Sequence, residues 1–243
     1  MSTRRLYLED PYLRTFEAQV VDVASDSVVL DASAFYPGGG GQPCDLGRLV
    51  LPDGSRVDVT GMSRDGEAIR HVLSGGAPAL GARVTGEIDW LRRYALMRTH
   101  TAMHILCGVI WKQYGASVTG GNMEPLRGRM DFEFESMRQE FVREIEALIN
   151  REVASARAVT TAILPRAEAF QIPDLIRTKI NLLPEGITEV RVVEIVGLDL
   201  QADGGTHVQN TREVGPLRIT DYKSKGAINK RLVVSLDAEV PHV

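Results

Sequence analysis

Arg83-Val84-Thr85-Gly86-Glu87-Ile88-Asp89-Trp90-Leu91-Arg92-Arg93-Tyr94-Ala95-Leu96-Met97 is the stretch on which the fold turns. Up to Asp89 the chain reads as short strands, and from Trp90 it reads as one long helix. Trp90 to Tyr114 contains no proline and a single glycine, Gly108. Leu91, Ala95, Met97, Ala102, Ile105, Val109 and Ile110 supply the apolar surface of a largely buried helix. The change of period marks a boundary near 88–90.

On the N-terminal side, Gln19–Val23 and Ser27–Asp31 flank a tight turn at Ala24-Ser25-Asp26, a hairpin signal. Arg48–Leu51 and Ser55–Val59 flank Pro52-Asp53-Gly54, where proline presets φ and glycine accepts positive φ, which favours a turn. Ile69–Leu73 and Arg83–Asp89 continue the series, and short strands at close spacing imply a small barrel. On the C-terminal side, Ser136-Met137-Arg138-Gln139 has capping-box spacing, followed by Phe141, Ile145, Leu148, Ile149 and Val153 at helical intervals. Ala158–Leu164 reads as a strand, with short helices around Arg166–Phe170 and Asp174–Lys179. Glu189–Val196 is a strand, Gly197–Gly215 a loop, and Arg218–Tyr222 with Arg231–Leu236 a closing hairpin. The expected fold is therefore α+β. A small β-barrel-like domain over 1–89 precedes a domain over 90–243 with antiparallel sheet and packed helices.

An apolar fraction of 44% and a charged fraction of 25% suit a globular chain able to bury a large core. No apolar run approaches the roughly 18 residues of a membrane span, and the first ten residues carry charge where a secretory signal needs apolar residues. With only Cys44 and Cys107 there is no disulfide framework, so a reducing cytoplasm is expected. The net charge of −4 argues against a general DNA-coating role, and no DNA or membrane partner is expected. It leaves room for local cationic clusters: Arg92, Arg93 and Arg98; Arg127 and Arg129; Lys223, Lys225, Lys230 and Arg231.

Chemistry concentrates at His100-Thr101-Ala102-Met103-His104 and, about a hundred residues on, Asp203-Gly204-Gly205-Thr206-His207. On a helix, residues four apart share a face, with Cβ atoms roughly 6 Å apart, so two imidazoles can converge on one ion. Gly204 and Gly205 allow a tight turn that presents Asp203 and His207 to a common point. Neutral imidazole and carboxylate oxygen are both zinc donors. Thr101 stands where a zinc peptidase of the His-Glu-x-x-His type carries its general base, which argues sharply against that class. Asp203 also reads as a turn-forming residue ahead of glycine. Cys107 reads as a buried apolar residue among Ile105, Leu106 and Ile110 rather than a ligand.

The His-Thr-Ala-x-His helix and late Gly-Gly-Thr-His together resemble the editing domain of alanyl-tRNA synthetase and its relatives in threonyl-tRNA synthetase. Phe35-Tyr36-Pro37-Gly38-Gly39-Gly40-Gly41-Gln42-Pro43-Cys44-Asp45-Leu46-Gly47 resembles the glycine-rich segment of free-standing AlaX-type editing proteins, in their longer form. Asn210-Thr211-Arg212-Glu213-Val214-Gly215 and Gly226-Ala227-Ile228-Asn229-Lys230-Arg231 resemble later blocks, so the likeness runs in order from about residue 20 to 235.

The resemblance implies a trans-acting hydrolase that deacylates mischarged tRNA(Ala), carrying serine and also glycine, at a mononuclear zinc (Zn2+) site. It implies His100, His104 and His207 as ligands. Asp203 stands where the family has cysteine, either as fourth ligand or as a neighbouring base on water. Thr206 and the glycine-turn amides are expected to stabilise the oxyanion. Ser33, Gly40, Gly41, Gln42 and Thr101 are expected to meet the acyl group or tRNA 3′ end, and Lys223, Lys225, Lys230 and Arg231 the tRNA. Zinc would either activate water or anchor the substrate's amino group. The rival reading is a non-catalytic tRNA-binding module with structural zinc, which four protein ligands would favour.

Overall fold

Six strands close into a barrel in the order Thr15–Val23, Ser27–Leu30, Ala68–Ser74, Arg56–Asp65, Gly47–Val50 and Arg83–Ile88, the last pairing back onto the first. This computed structural model describes residues 2–134, 138–177, 186–224, 226 and 228–239. The chain divides into two compact units, Met1–Tyr94, which holds the barrel, and Ala95–Val243. Alternation builds the barrel: Phe16, Ala18 and Val20 point inward while Thr15, Glu17 and Gln19 face water. Phe16 lies opposite Gly86 in the ladder, and its ring fills the space a Cβ on Gly86 would need, 2.3 Å away.

The glycine-rich run forms a built turn. Gly39 and Gln42 exchange two backbone hydrogen bonds of 3.0 Å, with Gly40 and Gly41 between them at φ of 57° and 87°. Positive φ at both central residues is the two-residue hairpin turn that only glycine-like residues adopt readily. The Tyr36 hydroxyl donates to the Gly39 carbonyl and Arg64 to the Gly38 carbonyl, which pins the run to the barrel.

Two polar clusters are sealed inside the same unit. Asp45 and Arg93 are both wholly buried, with Arg93 Nε 3.0 and 2.8 Å from the two carboxylate oxygens. The Tyr36 amide donates to Asp45, and Arg93 Nη1 donates to the Pro11 carbonyl. His71 Nε2 lies 2.8 Å from Ser33 Oγ, and burial pushes the His71 pKa down to about 4. Because the folded value lies below that of the unfolded chain, His71 contributes stability above pH 6.5 that is lost as pH falls towards 4. A difference of this size is worth about 3 kcal/mol at most. The urea midpoint of the native protein should therefore fall more steeply between pH 6.5 and 4 than that of His71→Gln. Parallel curves would refute this assignment.

In the second unit, strands Leu217–Ser224, Asn229–Leu236, Arg127–Glu133 and Val118–Glu124 form one antiparallel sheet in that order. Val159–Pro165, Glu189–Ile195 and Asp199–Ala202 form a second. The long helix spans Trp90–Tyr114, as its sequence requires. The helix Gln139–Ala154 buries Val142, Ile145, Ile149 and Val153, the spacing of one apolar face.

The α+β architecture with a barrel agrees with expectation, but some local readings change. Helix Gln139–Ala154 takes Arg138 as its N-cap, and the expected cap at Ser136 lies outside the described residues. Asp174 to Arg177 carries no helix, and Lys179 lies outside the described residues. Gly197–Gly215 is no continuous loop: it contains the strand Asp199–Ala202 and a 3-10 turn, Thr211–Val214, closed by a reciprocal Asn210–Glu213 capping box. The hairpin of Val118–Glu124 and Arg127–Glu133 was not among the expected elements. Its glycines permit close approach. A Cβ on Gly128 would sit 2.8 Å from Met103, and one on Gly121 3.5 Å from it.

Candidate metal centre

His100 and His104 project from one face of the long helix, one turn apart, with ring centroids 5.3 Å from each other. The third and fourth donors arrive from the strand Asp199–Ala202. At its end the Asp203 amide donates to the Arg191 carbonyl, and Arg191 Nη1 donates back to the Asp203 carbonyl, fixing the turn to the neighbouring strand. Asp203 Oδ1 accepts from the Gly205 amide at 2.6 Å, so the chain reverses and His207 returns towards the helix. The two readings of Asp203, turn former and donor, thus describe one residue.

His100, His104, Asp203 and His207 place their donor atoms within 4.8 Å of one another. Asp203 Oδ2 lies 3.3 Å from His100 Nε2 and 3.9 Å from His104 Nε2, and Oδ1 lies 3.1 Å from His207 Nε2. A tetrahedron with zinc bonds near 2.0–2.1 Å has edges of about 3.3 Å. The Asp203 separations from His100 and His207 are close to that edge, and three imidazoles with one carboxylate are donors that zinc accepts.

The rear nitrogens have partners. His207 Nδ1 lies 3.3 Å from Thr101 Oγ1, which also accepts from the Val208 amide. His104 Nδ1 lies 3.0 Å from Asp199 Oδ2. Burial opposes the charge of Asp203, yet the charge and hydrogen bond of His100, with hydrogen bonds from His104 and His207, hold its carboxyl well below the usual range. Burial, then the charge on His100, keeps His207 well below an ordinary histidine. Burial also disfavours a charged His104, but Asp199 and Asp203 outweigh it and raise His104 to about 9. A cation bound here would compete with the proton that Asp199 and Asp203 favour on His104.

The remaining expected residues fall in different places. Thr101 is fully buried with its hydroxyl on His207 and Val208. Thr206 is fully buried within the returning turn. Ser33, Gly40, Gly41 and Gln42 belong to the barrel unit, where Ser33 and Gln42 are buried and Ser33 Oγ accepts from the Phe35 amide. Cys107 is buried, and burial pushes its thiol pKa up, away from ligand chemistry. Lys223 is exposed and pairs with Asp221 at 3.0 Å. Lys230 is buried and donates to the Gly226 carbonyl, and Arg231 grips Asp131 through two bonds of 2.7 and 2.8 Å. Lys225 lies outside the described residues. Sequence reasoning missed Asp199. Its one signal was a carboxylate set in the apolar run Val196-Gly197-Leu198-Asp199-Leu200.

Comparison with known proteins places the chain beside tRNA-editing and tRNA synthetase sequences. The family described as "Threonyl and Alanyl tRNA synthetase second additional domain" matches residues 190–233, and "tRNA synthetases class II (A)" matches residues 9–92. "Alanyl-tRNA editing protein AlaX-M" of Saccharolobus solfataricus is 38% identical over 234 residues, covering 95% of this chain and 97% of the relative. The protein of the same name from Methanosarcina acetivorans is 39% identical, covering 96% and 99%. "Alanine--tRNA ligase" of Pyrococcus abyssi is 42% identical over 89% of this chain but only 24% of the ligase.

Proposed function

The chain belongs to the alanyl-tRNA editing protein family, and we propose on that footing that it is a free-standing deacylase of mischarged tRNA(Ala), acting at a zinc site. The observation that carries the reading is the convergence of His100, His104, Asp203 and His207 within 4.8 Å. The editing reading is supported by the match along 97% and 99% of the AlaX-M relatives.

The substrate is an activated ester between an amino acid and the terminal ribose, so hydrolysis needs a positioned water and charge stabilisation more than a strong nucleophile. When bound, zinc supplies a Lewis acid that polarises the ester carbonyl or holds the substrate's amino group. The three imidazoles keep that position fixed on a rigid helix and a braced turn. Asp203 supplies the negative charge and a fourth donor that the substrate can displace, which keeps one position exchangeable. Thr206 and the Gly204 amide are assigned to the developing oxyanion, since the Gly205 amide is already held by Asp203. Thr101 acts through His207, orienting its ring. The Gly40-Gly41 turn is assigned to the tRNA 3′ end, where the lack of side chains lets backbone approach. Lys223 and other exposed cations are assigned to phosphate, while Lys230 and Arg231 brace their strand.

Serine is the proposed acyl group, with glycine second. A synthetase pocket shaped for alanine discriminates poorly against either, whereas a site that rewards the serine hydroxyl can spare alanine strongly. Side-by-side hydrolysis of Ser-tRNA(Ala), Gly-tRNA(Ala), Ala-tRNA(Ala) and Ser-tRNA(Ser) tests this. Ser-tRNA(Ala) should be cleaved at least about a hundred-fold faster than Ala-tRNA(Ala), and Ser-tRNA(Ser) should be spared. Equal rates on all four would remove the editing role. Binding of tRNA without any hydrolysis would favour the second reading, a binding module whose four protein donors close the metal's shell.

A further inference from the structure

We propose that Asp199 is a positioning residue of the metal centre, holding the rear nitrogen of His104 so that Nε2 faces the other donors, and that Gly108 exists to let it do so. The inference rests on the metal reading above and adds two residues to it.

Asp199 is buried, and its Oδ2 lies 3.0 Å from His104 Nδ1. A carboxylate accepts only, so His104 carries its hydrogen on Nδ1 and leaves the Nε2 lone pair for a cation. The carboxylate is itself held. Gln201 Nε2 donates to Oδ2 at 2.6 Å, and Arg177 Nε stands 3.7 Å from Oδ1. The Arg177 guanidinium rests on the Trp111 ring at 4.6 Å, on the same long helix, and the Arg177 carbonyl accepts from the Val118 amide. Oδ1 has no hydrogen bond among the described residues, so charge pairing with Arg177 and the bonds at Oδ2 fix the group.

Gly108 lies one turn beyond His104, within a helix whose other residues all carry side chains. A Cβ there would lie 2.9 Å from Asp199 Cβ, 3.0 Å from Leu198 Cγ and 3.1 Å from the Leu198 carbonyl oxygen. Helix propensity alone favours alanine over glycine at such a site by about 1 kcal/mol. The glycine therefore has a steric reason: it brings the Leu198-Asp199 backbone against the helix, within reach of His104.

The test uses the whole protein, with zinc as the probe and a chromophoric chelator as competitor. Wild type is compared with Asp199→Asn, which is nearly isosteric, and with Gly108→Ala, which leaves every polar group in place. Both variants should bind zinc about ten- to a hundred-fold more weakly. Nitrogen-15 NMR of the imidazoles should show wild-type His104 protonated at Nδ1 and bound through Nε2, with that signature weakened in both variants. Unchanged zinc affinity in folded Asp199→Asn, or wild-type His104 protonated at Nε2, overturns the inference while leaving the metal site intact. A wild-type protein that takes up no zinc overturns the metal reading itself, and this inference with it.

Discussion

His100→Ala should leave the protein folded, strip it of metal and lower the rate of Ser-tRNA(Ala) hydrolysis by about a thousand-fold or more. The magnitude follows from asking the metal for several kcal/mol of transition-state stabilisation, at 1.36 kcal/mol per factor of ten. His100 Nε2 faces Asp203 Oδ2 at 3.3 Å, and its ring lies against that of His207, with centroids 4.2 Å apart. Removing it takes away one donor and one of the partners that hold the Asp203 carboxyl well below the usual range. The substitution also shortens a buried side chain, so circular dichroism and metal content must be read beside the rate. A folded variant that keeps its metal and its rate would show that His100 is not a ligand.

Asp45→Ala should produce the largest loss of stability, about 3–5 kcal/mol, because it leaves the Arg93 guanidinium charged and buried without its partner. Both side chains are wholly inaccessible, and the Tyr36 amide loses its acceptor at the same time. The comparison that isolates charge is the double variant Asp45→Leu with Arg93→Met. Replacing a buried pair by apolar residues of similar volume is often neutral, so the double variant should recover most of the loss. Thermal unfolding of the three proteins decides. If Asp45→Ala unfolds within a degree or two of wild type, the pair contributes little.

What the sequence disclosed depended on how local the signal was. Helix Trp90–Tyr114 and the four-residue spacing of His100 and His104 are properties of one segment, so they could be read directly. The returning Asp203–His207 turn was legible for the same reason, since Gly204 and Gly205 have few other uses between two donors. Asp199 was not, because its meaning comes from the pairing of strand Asp199–Ala202 with Glu189–Ile195 and from the gap left by Gly108. Strand side also decided the fate of the cations. Lys230 and Arg231 are neighbours in sequence, yet alternation turns Lys230 into the interior and Arg231 onto Asp131. A charge count along the chain cannot distinguish the two. Gly121 and Gly128 likewise take their role from a residue distant in sequence, Met103, which their strands approach.

The central claim is that hydrolysis depends on a cation held by His100, His104, Asp203 and His207. The most direct test follows one preparation of the intact protein through chelation and restoration, with metal content and the rate on Ser-tRNA(Ala) measured at each stage. Activity should disappear with the metal and return, in proportion, as stoichiometric zinc is added back. Metal-free protein that cleaves Ser-tRNA(Ala) at its original rate would contradict the account.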